Sequence, residues 1–266
     1  MRSLRWFGLL LALGMAFMLS GCQTLQNSKL LLPPDWTGMQ AVQRDVWVEA
    51  SLTDASRQEQ VLVLYQRAQA RLAAVVGEVQ SRPIHVFCYT EACYQSFGGG
   101  SPRAKSFGSL RTLIGPRGLS EFTLAHEWWH TELHYRIGYF NRRRVPAWFD
   151  EGMAVWVSDD PRFDESVYQR ILAAGINPPE LSELETRSQF TAAIGRYGDH
   201  LRAVEANSDA MTVVYPTAAH EVRRWMKGAG LPGLHALIAG LARGEEFTRL
   251  YAELERSGHT TPVSGN

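Results

Sequence analysis

The amino-acid sequence predicts an α+β fold in which helices outnumber strands. Apolar residues recur at helical spacing from Ser56 to Val79, which is typical of a helix that packs one face against a core. Residues 84–89 alternate and carry β-branched and aromatic side chains, and residues 110–114 form a second short run, so both are predicted strands. Helical spacing returns after Pro178. The predicted helical segments there are residues 181–184, 211–226 and 231–254.

The first 21 residues are predicted to be a signal peptide rather than part of the fold. Arg2 and Arg5 precede an apolar segment, residues 6–19, that is shorter than the roughly 20 residues of a typical transmembrane helix. Residues 19–22 read Leu-Ser-Gly-Cys, which is similar to a bacterial lipobox, where the cysteine becomes the lipidated first residue of the mature protein. An ordinary cleavage site with a chance cysteine is the alternative. The residue after Cys22 is glutamine rather than aspartate, which resembles the preference for sorting to the outer membrane.

The remaining 245 or so residues are enough for one large domain or two closely packed lobes. Residues 22–50 are predicted to be a lipid-anchored tether followed by irregular structure, because they show no sustained period. Residues 51–256 would form the domain, and residues 257–266 a polar tail. The chain after the signal peptide has 25 basic and 27 acidic residues. This balance gives no electrostatic case for binding nucleic acid.

Two further cysteines, Cys88 and Cys93, are separated by four residues. In a chain that leaves the cytoplasm they are predicted to form a disulfide, and buried free thiols are the alternative. A structural zinc site is not expected, because no second pair of cysteines or histidines accompanies them.

Residues 126–130 read His-Glu-Trp-Trp-His, a pattern typical of a metal-binding helix. On a helix, His126 and His130 lie one turn apart on the same face, with about 6 Å between their Cβ atoms, so both imidazoles can reach one ion. Zinc held by two imidazoles needs a third protein ligand and keeps a fourth position for water. Glu127 is then placed to take the proton of that water. The alternative is a chance pattern in an ordinary amphipathic helix.

The third ligand is predicted to be Glu151. Proline is preferred at helix starts, so Pro146 and the apolar residues after it predict a second, buried helix that carries Glu151 in its first turns. The metzincin arrangement fails, because Leu133 and Arg136 occupy the positions that it reserves for glycine and histidine. His134 lies about 12 Å from His126 along the helix axis and is predicted to be a structural histidine.

These two segments together resemble the gluzincin metallopeptidases. His-Glu-x-x-His at residues 126–130, followed by Trp-Phe-Asp-Glu-Gly-Met-Ala at residues 148–154, is similar to the peptidase-MA-like group, whose second motif is Trp-x-x-Glu-Gly-x-Ala. The resemblance extends over about residues 83–251. It implies a zincin-like fold with a small strand-containing upper lobe, the metal helix at the floor of the cleft and a mainly helical lower lobe.

The resemblance also implies roles for individual residues. His126, His130 and Glu151 would bind zinc, and Glu127 would be the general base. The strand at residues 110–114 would form the upper rim of the cleft, where it could pair with an extended substrate.

A candidate for stabilising the reaction intermediate is Tyr215. Residues 215–222 resemble the family's helix that carries a tyrosine facing the active site, and a phenol near zinc can donate to the oxyanion as it forms. A core tyrosine is the alternative reading. Pro216 departs from the family's pattern, and His220 is a weaker candidate for the same task.

Three other features lie near these motifs. Residues 98–102 are predicted to be a mobile loop beside the cleft, since they lack the lysine of a phosphate-binding loop. Residues 141–144, Asn-Arg-Arg-Arg, are read as a solvated loop or as a site for an anionic substrate or lipid head groups. Asp150 would accept a hydrogen bond from a ligating imidazole, or else lie exposed at the helix start.

The sequence therefore predicts a zinc-dependent peptidase, an endopeptidase, held in the bacterial cell envelope by lipid on Cys22, on the outer membrane facing the periplasm. Its partners would be a peptide or protein substrate and the membrane. Two alternatives are a non-catalytic binding or assembly lipoprotein that keeps the fold, and a metal-dependent amidohydrolase that acts on cell-wall peptides.

Overall fold

The computed structural model describes residues 29–199 and 212–260 of the 266-residue chain. The predicted signal peptide, Cys22 and residues 261–266 lie outside the described residues. The described part has an α+β fold, with one five-stranded mixed sheet and eight α-helices. Within these residues, no helix has both the length and the apolar character that crossing a membrane would require.

The strands are short and lie in the first half of the chain. Their order across the sheet is β1-β2-β3-β5-β4, in which the two outermost pairs are antiparallel and the two inner pairs are parallel. The predicted strands at residues 84–89 and 110–114 are confirmed as β3 and β5. The bounds are Met39–Gln43 for β1, Val46–Glu49 for β2, Ile84–Phe87 for β3, Ala104–Phe107 for β4 and Arg111–Ile114 for β5.

The prediction of irregular structure for residues 22–50 is wrong at residues 39–49, which form the hairpin β1-β2. Val46 and Val48 are fully buried, and β2 pairs in parallel with β3 across more than thirty residues of chain. The hairpin is stabilised by this distant pairing, and its few residues show little periodicity of their own.

The expectation that β5 forms the rim of a cleft is also wrong. β5 lies inside the sheet, with β3 on one side and β4 on the other. Both of its edges are therefore occupied by hydrogen bonds, and it has none to offer a further strand. The strand at this edge of the sheet is β4. It precedes β5 in the chain, and β5 then lies between β4 and β3.

Most of the helices pack on one face of this sheet and beyond it, whereas α2 (Glu91–Ser96) places Tyr94 against Val86 and Leu113 on the other face. The predicted helix at Ser56–Val79 is confirmed as α1, and the helix at residues 187–197 was not predicted. The predicted helices at 211–226 and 231–254 are divided differently, because one element continues through a kink at Gly230 (φ 61°). The bounds are Ala55–Val76 for α1, Glu91–Ser96 for α2, Glu121–Ile137 for α3, Ala147–Ser158 for α4, Glu165–Ala173 for α5, Arg187–Tyr197 for α6, Val214–Ala242 for α7 and Phe247–Thr260 for α8.

Two smaller predictions can also be compared with the structure. The disulfide is present and joins Cys88, just after β3, to Cys93 on α2. Residues 257–260 of the predicted polar tail belong to α8, which continues to Thr260.

Candidate metal centre

Helix α3 carries the first motif and begins at a well-defined cap. The side chain of Ser120 accepts a hydrogen bond from the backbone N–H of Thr123, which satisfies one of the free donors of the first turn. The helix is buried along most of its length, and His126 and His130 project from one face with ring centroids 5.0 Å apart. The predicted placement of the two imidazoles is therefore found in the structure.

Helix α4 brings Glu151 to the same place. Its first N–H groups, those of Ala147 and Trp148, donate to the carbonyls of Glu185 and Leu184, so a distant segment fixes where the helix starts. Gly152 lies against α7: a Cβ atom at this position would be 2.5 Å from the carbonyl oxygen of Ala218. A glycine is needed there for α4 to approach α7 so closely.

The three side chains form a compact group of potential ligands. Oε2 of Glu151 lies 3.2 Å from Nε2 of His126 and 3.6 Å from Nε2 of His130. Ligands about 2.0–2.1 Å from one tetrahedral ion are about 3.4 Å apart, so these separations fit a single ion. The side chains of His130 and Glu151 are each 5% exposed and that of His126 is 16% exposed. The group could therefore hold a metal ion, with solvent reaching it from the side of His126.

Asp150 determines which nitrogen of His130 faces the group. Nδ1 of His130 donates to Oδ1 of Asp150 at 2.7 Å, and Asp150 is buried rather than exposed. Because Nδ1 donates to Asp150, Nε2 is the nitrogen that faces the group, and it can bind a metal once it has lost its proton. The first of the two readings of Asp150 is thus the one found in the structure.

Arg187 is a residue of the site that the sequence analysis missed. It lies on α6, and its guanidinium contacts Oε1 of Glu151 and lies 3.4 Å from Oδ2 of Asp150. Since Arg187 occupies Oε1, the other oxygen of Glu151 is the one that faces the histidines. A signal for α6 was present in the sequence, because Thr186 and Gln189 have the spacing of a capping box and form one.

The pKa values in the cluster follow from burial and from these neighbours. Burial alone would raise the pKa of Glu151, but Arg187 and His130 hold it well below its usual range. Burial opposes protonation of His130, yet the carboxylates of Asp150 and Glu151 raise its pKa well above the ordinary value. The site therefore stabilises positive charge between its carboxylates, as a cation-binding centre requires.

Glu127 lies beside the ligand group without belonging to it. Burial raises its pKa, an effect that the nearby histidines partly offset. Burial lowers the pKa of Lys105 on β4 and raises the pKa of Tyr94 on α2, and the charge of Glu127 acts to raise both.

Tyr215, at the start of α7, is brought to the same site. Its ring centroid is 6.1 Å from that of His126, and the ring stacks on Phe163. Its hydroxyl makes no hydrogen bond to any residue in the described ranges. Burial, followed by the charges of Glu151 and Glu127, raises its pKa well above 10, so it remains a neutral donor. Pro216 is accommodated because it falls in the first turn of the helix, where N–H groups have no helical partner.

Two histidines considered in the sequence lie outside the ligand group. His220 is 2.9 Å from Glu165 through Nδ1 and stacks on Tyr168, so this nitrogen has a partner outside the ligand group. His134 lies one turn beyond His130, with Nε2 3.8 Å from Oδ2 of Asp150. It contacts the carboxylate that orients His130, which agrees with a structural role.

Hydrogen bonds from two neighbouring side chains hold the loop at residues 98–102. The hydroxyl of Tyr94 donates to the carbonyl of Pro102 at 2.8 Å, and the ammonium of Lys105 donates to that of Gly98 at 2.7 Å. These bonds connect the loop to the edge strand and to α2.

The fold and the cluster define an α+β protein with a buried His-His-Glu group that could hold a metal ion. A scan against protein-family models and searches of curated proteins and of solved structures found no match to this chain. Its function is therefore inferred from the residues of this site.

Proposed function

We propose that the protein is a zinc-dependent peptidase of the gluzincin type with a zincin-like fold. The observation that carries the proposal is that ligand atoms of His126, His130 and Glu151 all lie within 4.8 Å of one another, with Glu127 on the same helix as the two histidines. In this reading the sheet is the upper lobe, α3 is the floor of the cleft, and the helices from α4 onward form the lower lobe.

The donor set fits zinc. Two imidazole nitrogens and one carboxylate oxygen are ligands that zinc prefers, and three protein ligands leave a position for water, as in catalytic sites. When bound, zinc would supply a water of lowered pKa and would polarise a substrate carbonyl.

Two residues of the chain would then carry out proton transfer and stabilisation of the oxyanion. Glu127 accepts the proton of the attacking water and passes it to the leaving amine, and its raised pKa makes it a stronger base than an ordinary carboxylate. Tyr215 donates from its hydroxyl to the carbonyl oxygen as negative charge develops there. An extended peptide would pair with the free edge of β4 rather than with β5.

The proposed location is the bacterial envelope, with lipid on Cys22 holding the protein at the outer membrane, facing the periplasm. The disulfide between Cys88 and Cys93 supports an oxidising compartment, because such bonds are rare in the cytosol.

The proposal can be tested with residues 23–266. This chain keeps every described element, and the sheet and the helices that pack on it lie entirely within it. Metal content and hydrolysis of unfolded casein would be measured for the wild type, Glu127→Gln and Glu151→Ala. We expect about one zinc per chain in the wild type and Glu127→Gln, less in Glu151→Ala, and hydrolysis only by the wild type.

Each alternative predicts a different result. Equal hydrolysis by Glu127→Gln and the wild type would exclude Glu127 as the general base. Zinc binding without hydrolysis of casein or of cell-wall peptides would favour the non-catalytic lipoprotein. Hydrolysis of cell-wall peptides alone would favour the amidohydrolase.

A further inference from the structure

The connection between the two motif helices carries an unusual exposed surface. After α3 ends at Ile137, Tyr139 and Phe140 are 65% and 89% exposed, and Phe140 is the most exposed large apolar side chain in the described part of the chain. Tyr135, in the last turn of α3, is 53% exposed. Large apolar side chains are not stabilised by contact with water. A group of them on the surface is typical of a site that binds a partner.

Hydrogen bonds hold this loop in place, so the exposure of its aromatic side chains does not come from fraying at the end of α3. The side-chain amide of Asn141 donates to the carbonyls of Ile137 and Ala242, which ties the loop to the ends of α3 and α7. The rings of Tyr139 and Phe140 are perpendicular, with centroids 5.6 Å apart, and the guanidinium of Arg142 lies 4.0 Å from the Tyr139 ring centroid. The two aromatic side chains are thus held outward together.

The same loop carries three arginines without acidic partners. Among the residues that the structure describes, Arg142, Arg143 and Arg144 form no ion pair with a carboxylate. Several other exposed arginines do: Arg67 pairs with Glu121 at 3.2 Å, and Arg249 with Glu253 at 3.0 Å. The guanidinium groups of the loop are therefore available to an anionic partner, and they directly follow the two exposed aromatic residues in the chain.

We propose that Tyr139, Phe140 and Arg142–Arg144, the aromatic-arginine loop, contact an anionic phospholipid surface. Aromatic rings are favoured at the boundary between head groups and acyl chains, where they bury an apolar body beside polar groups. Guanidinium groups bind phosphates in a bidentate manner, and each basic residue near an anionic bilayer adds to the attraction.

The expected lipid on Cys22 favours a membrane over an acidic protein as the partner. Six residues separate Cys22 from Lys29, where the described structure begins, and the seven steps of chain between the two span at most about 25 Å when extended. A protein anchored in this way stays close to the bilayer, but the tether does not orient it. The aromatic-arginine loop would supply the second contact and fix which face of the protein meets the membrane.

The test uses residues 23–266, which lack the lipid, so that any binding comes from the protein surface. Sedimentation would be measured with vesicles of phosphatidylcholine alone and with vesicles that contain about 30% phosphatidylglycerol, at low ionic strength. We expect binding to the anionic vesicles. We expect a loss of affinity of about tenfold or more in Arg142→Gln/Arg143→Gln/Arg144→Gln and of several-fold in Phe140→Ser.

Matched controls separate this surface from general charge and general exposure. Arg67→Gln/Arg170→Gln/Arg249→Gln removes the same charge from other helices, and Trp36→Ser removes another exposed aromatic side chain, which is 75% exposed. Both controls should bind like the wild type. Equal losses in the control and loop variants would overturn the proposal. Failure of the wild type to bind anionic vesicles would also overturn it, and would favour a protein with an acidic surface as the partner.

Discussion

Asp150 and Glu151 are neighbours in the sequence, but their side chains on α4 make different contacts. Asp150 accepts from Nδ1 of His130 and so orients the ring, whereas Glu151 presents Oε2 to both histidines. Arg187 contacts both carboxylates from the opposite side. Two carboxylates buried this deeply require a positive partner, and Arg187 supplies it when no metal is bound.

This charge balance predicts how Arg187→Gln changes stability. In the metal-free variant, the histidines are the remaining positive partners of Asp150 and Glu151 among the described residues. Loss of a buried pair costs about 3–5 kcal/mol, but the Arg187 side chain is 57% exposed, so we expect about 1–2 kcal/mol. With saturating zinc the loss should be smaller, because the ion replaces the missing charge. Urea unfolding with chelator and with zinc measures both values.

Thermodynamic linkage gives this prediction a second readout. A smaller loss with zinc means that Arg187→Gln binds zinc more tightly than the wild type, by about tenfold for each 1.4 kcal/mol of difference. A competition titration with a chelating dye would measure the change. An equal loss of stability with and without zinc would show that Arg187 does not balance the charge of the site.

At the scale of elements, the position of Glu151 depends on how closely α4 approaches α7 at Gly152. In Gly152→Ala the new methyl group meets the backbone carbonyl of Ala218, which cannot turn aside as a side chain can. We expect α4 to shift, a loss of about 1–3 kcal/mol in the free energy of unfolding, and weaker zinc binding. Urea unfolding and zinc titration would measure these effects.

Gly195, in the last turn of α6, provides the matched control. A Cβ atom there meets no heavy atom within 4 Å, and the backbone is helical. Gly195→Ala should therefore be neutral or stabilise the protein by up to about 1 kcal/mol. If the two substitutions have the same effect, close packing is not the reason for glycine at position 152.

The elements that could be predicted from the sequence are those that local spacing encodes. Helix α1 repeats its apolar positions over about four turns, and His126 and His130 lie on the same face because they are one helical turn apart. The hairpin β1-β2 was missed because its stability comes from pairing with β3. Arg187 was missed for a similar reason, since 36 residues separate it from Glu151 and no short pattern records their contact. The edge position of β4 depends on the strand order, which the two predicted strands could not establish.

At the scale of the whole molecule, His85 joins the sheet to two helices. It lies on β3, fully buried, with Nδ1 2.8 Å from the hydroxyl of Thr112 on β5. Its ring packs against Tyr65 of α1 and Trp128 of α3, at centroid distances of 5.5 and 4.4 Å. Burial lowers the pKa of His85 to about 3, so the imidazole stays neutral in the folded protein at any mild pH.

This burial makes the stability of the protein depend on pH. An unfolded histidine takes up a proton below about pH 6.5, whereas folded His85 does not until about pH 3. Proton uptake therefore favours the unfolded state. The contribution is fully present above pH 6.5 and is lost progressively as the pH falls toward 3, with about 2–3 kcal/mol lost by about pH 4.5.

His85→Gln separates this effect from other acid-sensitive groups. Glutamine can keep a hydrogen bond to Thr112 but does not titrate, so the variant should be less stable at pH 7.5 and should lose less stability on acidification. Both proteins would be unfolded in urea at several pH values, with chelator present because zinc binding itself depends on pH. The two curves of unfolding free energy should converge toward pH 4.5. Parallel curves would mean that His85 is protonated in the folded protein, and the packing of its ring between the sheet and the helices would then have to tolerate a charge.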